Sequence, residues 1–312
     1  MQSCCILYTE SEYTPWKENI DYSTVRSVAD AFTLKYRVSI IHVIQLDDSL
    51  EKHLKLFDFV VNLCYGTLDA NQAQVAHWLT EHQINHLSSP GHAQLLAQDK
   101  WRMEQILRSA GMNVPQSYSH LEIIGQANIF IAKPRFGGCH RGIHLFSGVE
   151  IPENIGIFSD PETYIIQPYL YGREFTVGVW PTHDGMGYEA LPPIEIVAEN
   201  DQAHFIAGQE YGATKKLLFP ELSSTQLEGI QRAALTAHRI MGLQYFSRCD
   251  IRLHENRIYI IDVNTMPNLH PSKSMFPQLL EAHGYSINDL FLRSIQRHDL
   301  FYRCKETPNL SV

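Results

Sequence analysis

Hydrophobic and polar positions along this 312-residue chain change period several times. Ser3–Tyr8 is a short apolar run with strand character, and Tyr22–Thr33 sets Val25, Val28, Ala29 and Phe32 at helical spacing. Val38–Ile44 and Phe57–Leu63 read as further strands, and Ala73–His82 as another helix. Strands alternating with helices over roughly ninety residues predict an open, mainly parallel α/β lobe. Composition turns to loop around Pro90. A helix then begins at Gln98-Asp99-Lys100, carries Trp101, Met103, Ile106 and Leu107, and stops at Gly111 with Pro115 beyond it. In IFIAKPRFGGCHRGIHLF an apolar strand delivers Lys133 into a glycine-rich turn, and a second strand follows. YIIQPYLYGREFTVGV holds two strand-like halves around Pro168–Gly172, and PPIEIVAEN is another strand. Gln202–Leu218 is polar and irregular. Ser223 or Ser224 then caps a helix whose apolar period runs from Leu227 to Ile240, and Ser286 caps a last one to Ile295.

The most informative pattern lies between Phe246 and Pro277. Arg248, Asp250 and Arg252 alternate with Cys249, Ile251 and Leu253; His254-Glu255-Asn256 turns; Ile258–Val263 runs back. In such a hairpin Asp250, Asp262 and Asn264 meet at one end. Either acid alone would read as a loop cap at a strand end. Together with the amide they form a hard, all-oxygen set suited to Mg²⁺ rather than zinc or copper. Acids within an apolar run are costly unless a cation pairs with them.

Composition changes this picture little. The length suggests two or three lobes, and 44% hydrophobic residues suffice for a large core. Net charge is −9, from 25 basic and 34 acidic residues, with no basic run. That argues against nucleic acid or anionic membrane as partner. No apolar stretch is long enough to span a bilayer, and the N-terminus lacks a basic-then-apolar leader. Cys4, Cys5, Cys64, Cys139, Cys249 and Cys304 show no disulfide or metal spacing, which reads as core thiols of a reducing cytoplasm.

RCDIRL…IIDVNTMPNLHPSKSMFP resembles the C-terminal signature of the D-alanine–D-alanine ligase-like branch of the ATP-grasp superfamily. DKWRMEQILRSAGMNVP resembles the D-K-x-x-x-K-x-x-L-x-x-x-G-[IV]-x-x-P motif that opens that family's central lobe, and K-P-x-x-G-G-x-x-x-G-I its phosphate loop. The resemblance implies an α/β (α+β) ATP-grasp fold of three lobes, 1–92, 93–166 and 167–312, with nucleotide between the last two. It implies ATP and two Mg²⁺ ions, the metals held by Asp250, Asp262 and Asn264. Lys100, Lys133 and a lid lysine such as Lys215 would reach phosphate. Gln167 and the backbone of Leu170 would lie along the adenine edge, Glu174 would take the ribose, and Ile131 and Ile261 would also bind ATP. Arg248 and Lys133 are the catalytic candidates. Substrate would meet Arg248, Asn268, Ser274 and Glu12, with Glu10 an alternative to Glu12 and His140 a substrate contact or phosphate ligand; Tyr211 and Lys216 share the lid loop with Lys215. Family members are commonly dimers, so a homodimer is a partner to expect.

The sequence departs from the family where Asp262 replaces Glu, Gln167 replaces Glu, and Asn268 replaces a loop glycine. Cys139 and His140 stand where serines are usual. Asparagine tolerates left-handed backbone, so Asn268 is expected to keep that loop's shape. The implied activity is ATP-dependent formation of an amide between a small carboxylate and an amine through an acyl phosphate. FVVNLCYG resembles a subset of these ligases that carries an NLCEG-type motif, whereas the histidine and acidic-glycine pattern usual there in D-alanyl ligases, and their Glu-Arg-Glu-Val segment near the first strand, have no secure match. That leaves open a ligase of secondary metabolism with another acceptor, a phosphotransferase, or a nucleotide-binding module without turnover.

Overall fold

A computed structural model describes residues 2–9, 22–33, 35–65, 71–118, 122–126, 128–137, 142–149, 158, 160–198, 214–217, 219–272 and 274–306. The first lobe runs β1 (Ser3–Tyr8), α1 (Tyr22–Thr33), β2 (Arg37–His42), α2 (Asp48–Leu54), β3 (Phe59–Leu63), α3 (Asn71–Glu81) and α4 (Gly91–Gln98). Its three strands pair in parallel in the order β2-β1-β3, as the alternating pattern predicts. The middle lobe holds α5 (Lys100–Ser109), β4 (Ile129–Pro134), β5 (His144–Ser147) and β6 (Tyr164–Pro168). Those strands form an antiparallel sheet, β5-β4-β6. The last lobe comprises β7 (Arg173–Pro181), β8 (Tyr188–Ala190), β9 (Ile194–Ala198), β10 (Thr214–Leu217), α6 (Ser224–Ile240), β11 (Ser247–His254), β12 (Arg257–Asn264), α7 (Met275–Ala282) and α8 (Ile287–Glu306). Its antiparallel sheet runs β10-β9-β7-β11-β12, with β8 on β7.

Local chemistry explains several boundaries. Ser223 caps α6 in a reciprocal capping box with Gln226, so Ser223 rather than Ser224 is the N-cap. Glu255 and Asn256 both take positive φ, 47° and 60°, the backbone a tight two-residue hairpin turn needs. Two short helices, α2 and α4, lie in stretches without a long apolar period. α2 is started by Asp47, whose side chain accepts from the Leu50 N–H. α4 is fixed by packing, because a Cβ on Gly91 would sit 2.4 Å from the His77 backbone nitrogen. β10 falls inside the stretch expected to be irregular, and its pairing with β9 makes it a strand. α8 continues to Glu306, well past Ile295.

The expected lobe boundaries at 92/93 and 166/167 fall inside α4 and β6. Breaks at Pro90 and in the Tyr169–Gly172 connector keep each element whole. The first lobe also shares its core with the last: Phe32 lies 4.7 Å ring to ring from Phe291 of α8, within a cluster that includes Phe59, Trp180 and Phe276. Among the described residues no helix is long and apolar enough to cross a membrane.

Candidate active site

The β7-β11-β12 sheet has two chemically opposite faces. Cys249, Ile251, Leu253, Ile260 and Val263 point into a core closed by Ile230, Ala234 and Ala237 of α6. Strand alternation then turns Arg248, Asp250 and Arg252 to the other face. Register sets Asp250 opposite both Asp262 and Thr176, Arg248 opposite Asn264, and Arg252 opposite Glu174. Seven polar side chains therefore line one side of three adjacent strands.

Their contacts are specific. Arg248 holds Asp250 with two hydrogen bonds, 3.1 and 2.9 Å long. Thr176 Oγ1 donates to the same carboxylate at 2.7 Å. The Asn264 amide nitrogen donates to Asp250 at 3.2 Å and to Asp262 at 3.4 Å. Asp250, Asp262 and Asn264 thus meet as the hairpin pattern predicts. Turning the Asn264 carboxamide over would present its oxygen in place of its nitrogen, giving an all-oxygen set that fits a hard divalent cation such as Mg²⁺. Among the described residues no group of three or more His, Cys, Asp or Glu side chains gathers.

The β11-β12 register slips between Asp250 and Ile251, which leaves Ile261 as the extra residue of a bulge. Its carbonyl accepts a 3.2 Å hydrogen bond from Lys133 Nζ, across from β4. Lys100, the first residue of α5, donates to the Gly137 carbonyl at 2.7 Å. Both lysines are buried. Burial pushes the Lys133 amine down to about 8; Asp262 opposes this shift and Lys100 adds to it. Two buried ammonium groups that repel one another form an anion site in waiting.

Beside them, Ile131 is half-buried and opposite Gln167 in the β4-β6 register. The Leu170 carbonyl accepts from Arg252 at 3.2 Å, and the Arg252 guanidinium also lies over the Tyr169 ring, 5.4 Å from its centre. The connector between β6 and β7 is therefore pinned to β11. Glu174 is ion-paired with Arg252, and burial raises its carboxyl above the usual range. Alternation in the sequence already placed Arg252 beside Asp250, yet its double task was not legible there. Thr176 was missed as well, although its spacing two residues from Glu174 puts it on the same face.

One backbone expectation changes, at Asn268. Asn268 does not take left-handed backbone. Its side chain instead closes a turn, accepting from the His270 N–H at 2.8 Å and from the Ser274 hydroxyl at 2.9 Å. Ser274 also donates its backbone N–H to the His270 carbonyl, which helps shape the loop before α7. Glu12, Glu10, Cys139, His140 and Tyr211 lie outside the described residues, as do the side chains of Lys215 and Lys216.

Known proteins resemble this chain over most of its length. The family model described as D-ala D-ala ligase C-terminus matches residues 149–296. A D-alanine–D-alanine ligase of Bartonella henselae is 25% identical over 288 residues, covering 88% of this chain and 91% of that protein. One from Fusobacterium nucleatum is 28% identical over 200 residues, 64% of this chain and 66% of its own length. Among solved structures, a Bacillus anthracis D-alanine–D-alanine ligase complexed with ATP superposes with a TM-score of 0.75 at 20% identity, covering 98% of this chain and 100% of that one. The VanG D-Ala:D-Ser ligase of Enterococcus faecalis gives 0.73 at 16% identity, with 96% and 100% covered. The shared fold is therefore ATP-grasp.

Proposed function

We propose that this D-alanine–D-alanine ligase-like ATP-grasp protein is an ATP-dependent ligase joining the carboxylate of one small amino acid to the amine of another. The observation that carries the reading is the reach of Lys133 from β4 to the Ile261 carbonyl of β12, which sets its ammonium near Asp262 on one side and Lys100 on the other. Cations on one wall and an all-oxygen donor set on the other suit a metal-bound triphosphate.

Carboxylates resist amines because oxide is a poor leaving group. An oxygen of the substrate carboxylate attacks the γ-phosphorus, the bond from that phosphorus to the β–γ bridging oxygen breaks, and ADP leaves with that electron pair. The amine then adds to the acyl carbon, and the carbon–oxygen bond to phosphate breaks as the amide forms and the amine proton is lost. Lys100 and Lys133 hold the phosphates and offset charge on the transferring group. Arg248, fixed in direction by Asp250, steadies the oxygen of the reacting carboxyl group. Asp250, Asp262 and Asn264 would hold Mg²⁺, which when bound supplies positive charge to the phosphate oxygens. Gln167, Ile131, Ile261 and Leu170 border the base, and Glu174 the ribose. Lys215 or Lys216 serves as the lid lysine and Glu12 as a first-substrate contact, both assigned from the sequence. The free, buried thiols Cys4, Cys5, Cys64 and Cys249 suit a reducing cytoplasm.

The test is ADP release with MgATP and pairs of D- and L-amino acids, with mass spectrometry of products. The reading requires ADP, phosphate and a condensation product in equal amounts with at least one pair. A stable phosphorylated amino acid in place of the amide would make the protein a phosphotransferase, and no ADP from any pair would refute turnover.

A further inference from the structure

Gln167 projects from β6 opposite Ile131, and strand alternation puts both on the sheet face that carries Lys133. Phe130, Ala132 and Ile166 occupy the opposite face and pack into the middle lobe's own core. Gln167 is 3% exposed, and its amide is not free to choose an orientation. Nε2 donates to Glu104 Oε2 at 3.1 Å and to the Pro115 carbonyl at 3.1 Å, with Ser117 Oγ at 3.3 Å.

Glu104, on α5, is itself held firmly. Arg108 donates to its Oε1 at 2.5 Å, the Ser117 N–H donates to the same oxygen at 2.9 Å, and the Ser117 hydroxyl donates to Oε2. Turning the Gln167 amide over would set its oxygen against a carboxylate and a carbonyl in a site nearly closed to water. Unmatched buried acceptors are costly, so one orientation persists. Oε1 has no partner among the described residues and is left as a fixed acceptor.

We propose that Glu104 is a positioning residue for base selection: it locks the Gln167 carboxamide with its oxygen toward the nucleotide, so the pocket takes a purine with an amino group at position 6 and rejects one with a carbonyl there. This rests on the ATP reading above. The motif that opens the family's central lobe has lysine where Glu104 stands, and Gln167 replaces a glutamate. Both ends of one contact have changed together, and the acceptor toward the base is retained.

The experiment is calorimetric binding of MgADP, MgIDP and the magnesium complex of purine riboside diphosphate to the wild-type protein. MgADP should bind about tenfold or more tighter than MgIDP, with unsubstituted purine between them, because a fixed acceptor opposes the 6-oxo group. IDP binding better than unsubstituted purine would show a freely turning amide and overturn the proposal. Glu104→Gln should cut the ADP-over-IDP preference about tenfold. Glu104→Gln combined with Gln167→Glu should restore it, since a carboxylate has only acceptors. The ratio, rather than affinity, is the readout, because loosened packing weakens both nucleotides alike. A folded Glu104→Gln protein with the wild-type ratio overturns the proposal. Wild-type protein binding ADP and IDP equally overturns it while sparing the ATP reading. Wild-type protein binding neither removes both.

Discussion

Lys133 Nζ donates to the carbonyl oxygen of Ile261 at 3.2 Å, and Ile261 is the residue that the bulge in β12 leaves without a cross-strand partner. A bulge frees a carbonyl that a regular ladder would have used, and here the freed group holds a lysine in place between two lobes. Burial of that amine is unfavourable, as its depressed pKa of about 8 shows. Replacing Lys133 with Met keeps the length of the side chain and removes the buried charge. The melting temperature of Lys133→Met should stay level or rise, while ligase turnover falls by about 10²–10³-fold, the usual loss when one preorganised electrostatic contact is removed. Thermal melts and ADP release on the same preparation check both halves; turnover near wild type would remove Lys133 from the phosphate site.

Asp250 accepts from Arg248, Thr176 and Asn264 at once. Asn at this position is nearly isosteric, so the strand register should persist. Turnover of Asp250→Asn should be lost by about 10³-fold or more, because the change weakens the cation site and releases Arg248 together. Thr176→Val removes one 2.7 Å hydrogen bond and leaves the carboxylate, so its loss should be about tenfold at most. Initial rates across a magnesium titration distinguish the two: only Asp250→Asn should fail to recover at saturating magnesium. Equal, mild losses in both variants would contradict the cation assignment.

Much of this site is legible in the sequence because its parts are short-range. Alternation along RCDIRL, a two-residue turn and a return strand suffice to bring Asp250, Asp262 and Asn264 together. What escapes is set by partners far along the chain. The bulge at Ile261 depends on pairing that no local pattern encodes. The Gln167 amide is oriented by Glu104, 63 residues earlier. The helix α4 has too little amphipathic period to stand out, and its Gly91 is chosen by the closeness of His77. The loop at Asn268 shows a different limit: tolerance of left-handed backbone was a permitted solution, and the side chain used an Asx turn instead.

Gly172 sits at the end of the connector between β6 and β7 with φ of +132°, and a Cβ there would lie 2.1 Å from the Leu253 carbonyl oxygen. Both the backbone angle and the contact forbid a side chain, and the obstructing atom is backbone of a central strand. Gly172→Ala should destabilise the protein by about 2–3 kcal/mol. Gly111 provides the comparison: its φ is +81° and nothing lies within 4 Å of where a Cβ would stand, so Gly111→Ala should cost about 1 kcal/mol from strain alone. Urea unfolding with unchanged m-values reads both numbers. Equal costs would mean that the Leu253 contact relaxes freely.

Three buried histidines set the acid limit of the fold. Burial holds His86 and His298 down to about 4 and His238 to about 3, with Arg297 and Arg239 adding to the effect on His238 and His86 adding to that on His298. His86 is held between Ser88 and Thr80, His298 meets the Tyr245 hydroxyl, and His238 meets Ser247 with Tyr188 against its ring. Each folded-state value lies below the ordinary value of about 6.5, so the unfolded chain binds more protons in between. Stability is then fully present above about pH 6.5 and declines as pH falls toward 4, by up to about 1.4 kcal/mol per pH unit for each histidine. Urea midpoints measured between about pH 7 and 5 should therefore drop steeply, before carboxylates begin to titrate. His298→Gln should flatten that slope by close to one proton. A midpoint that is level from about pH 6.5 to 5 would mean that these rings reach water, and with it a proton, without unfolding.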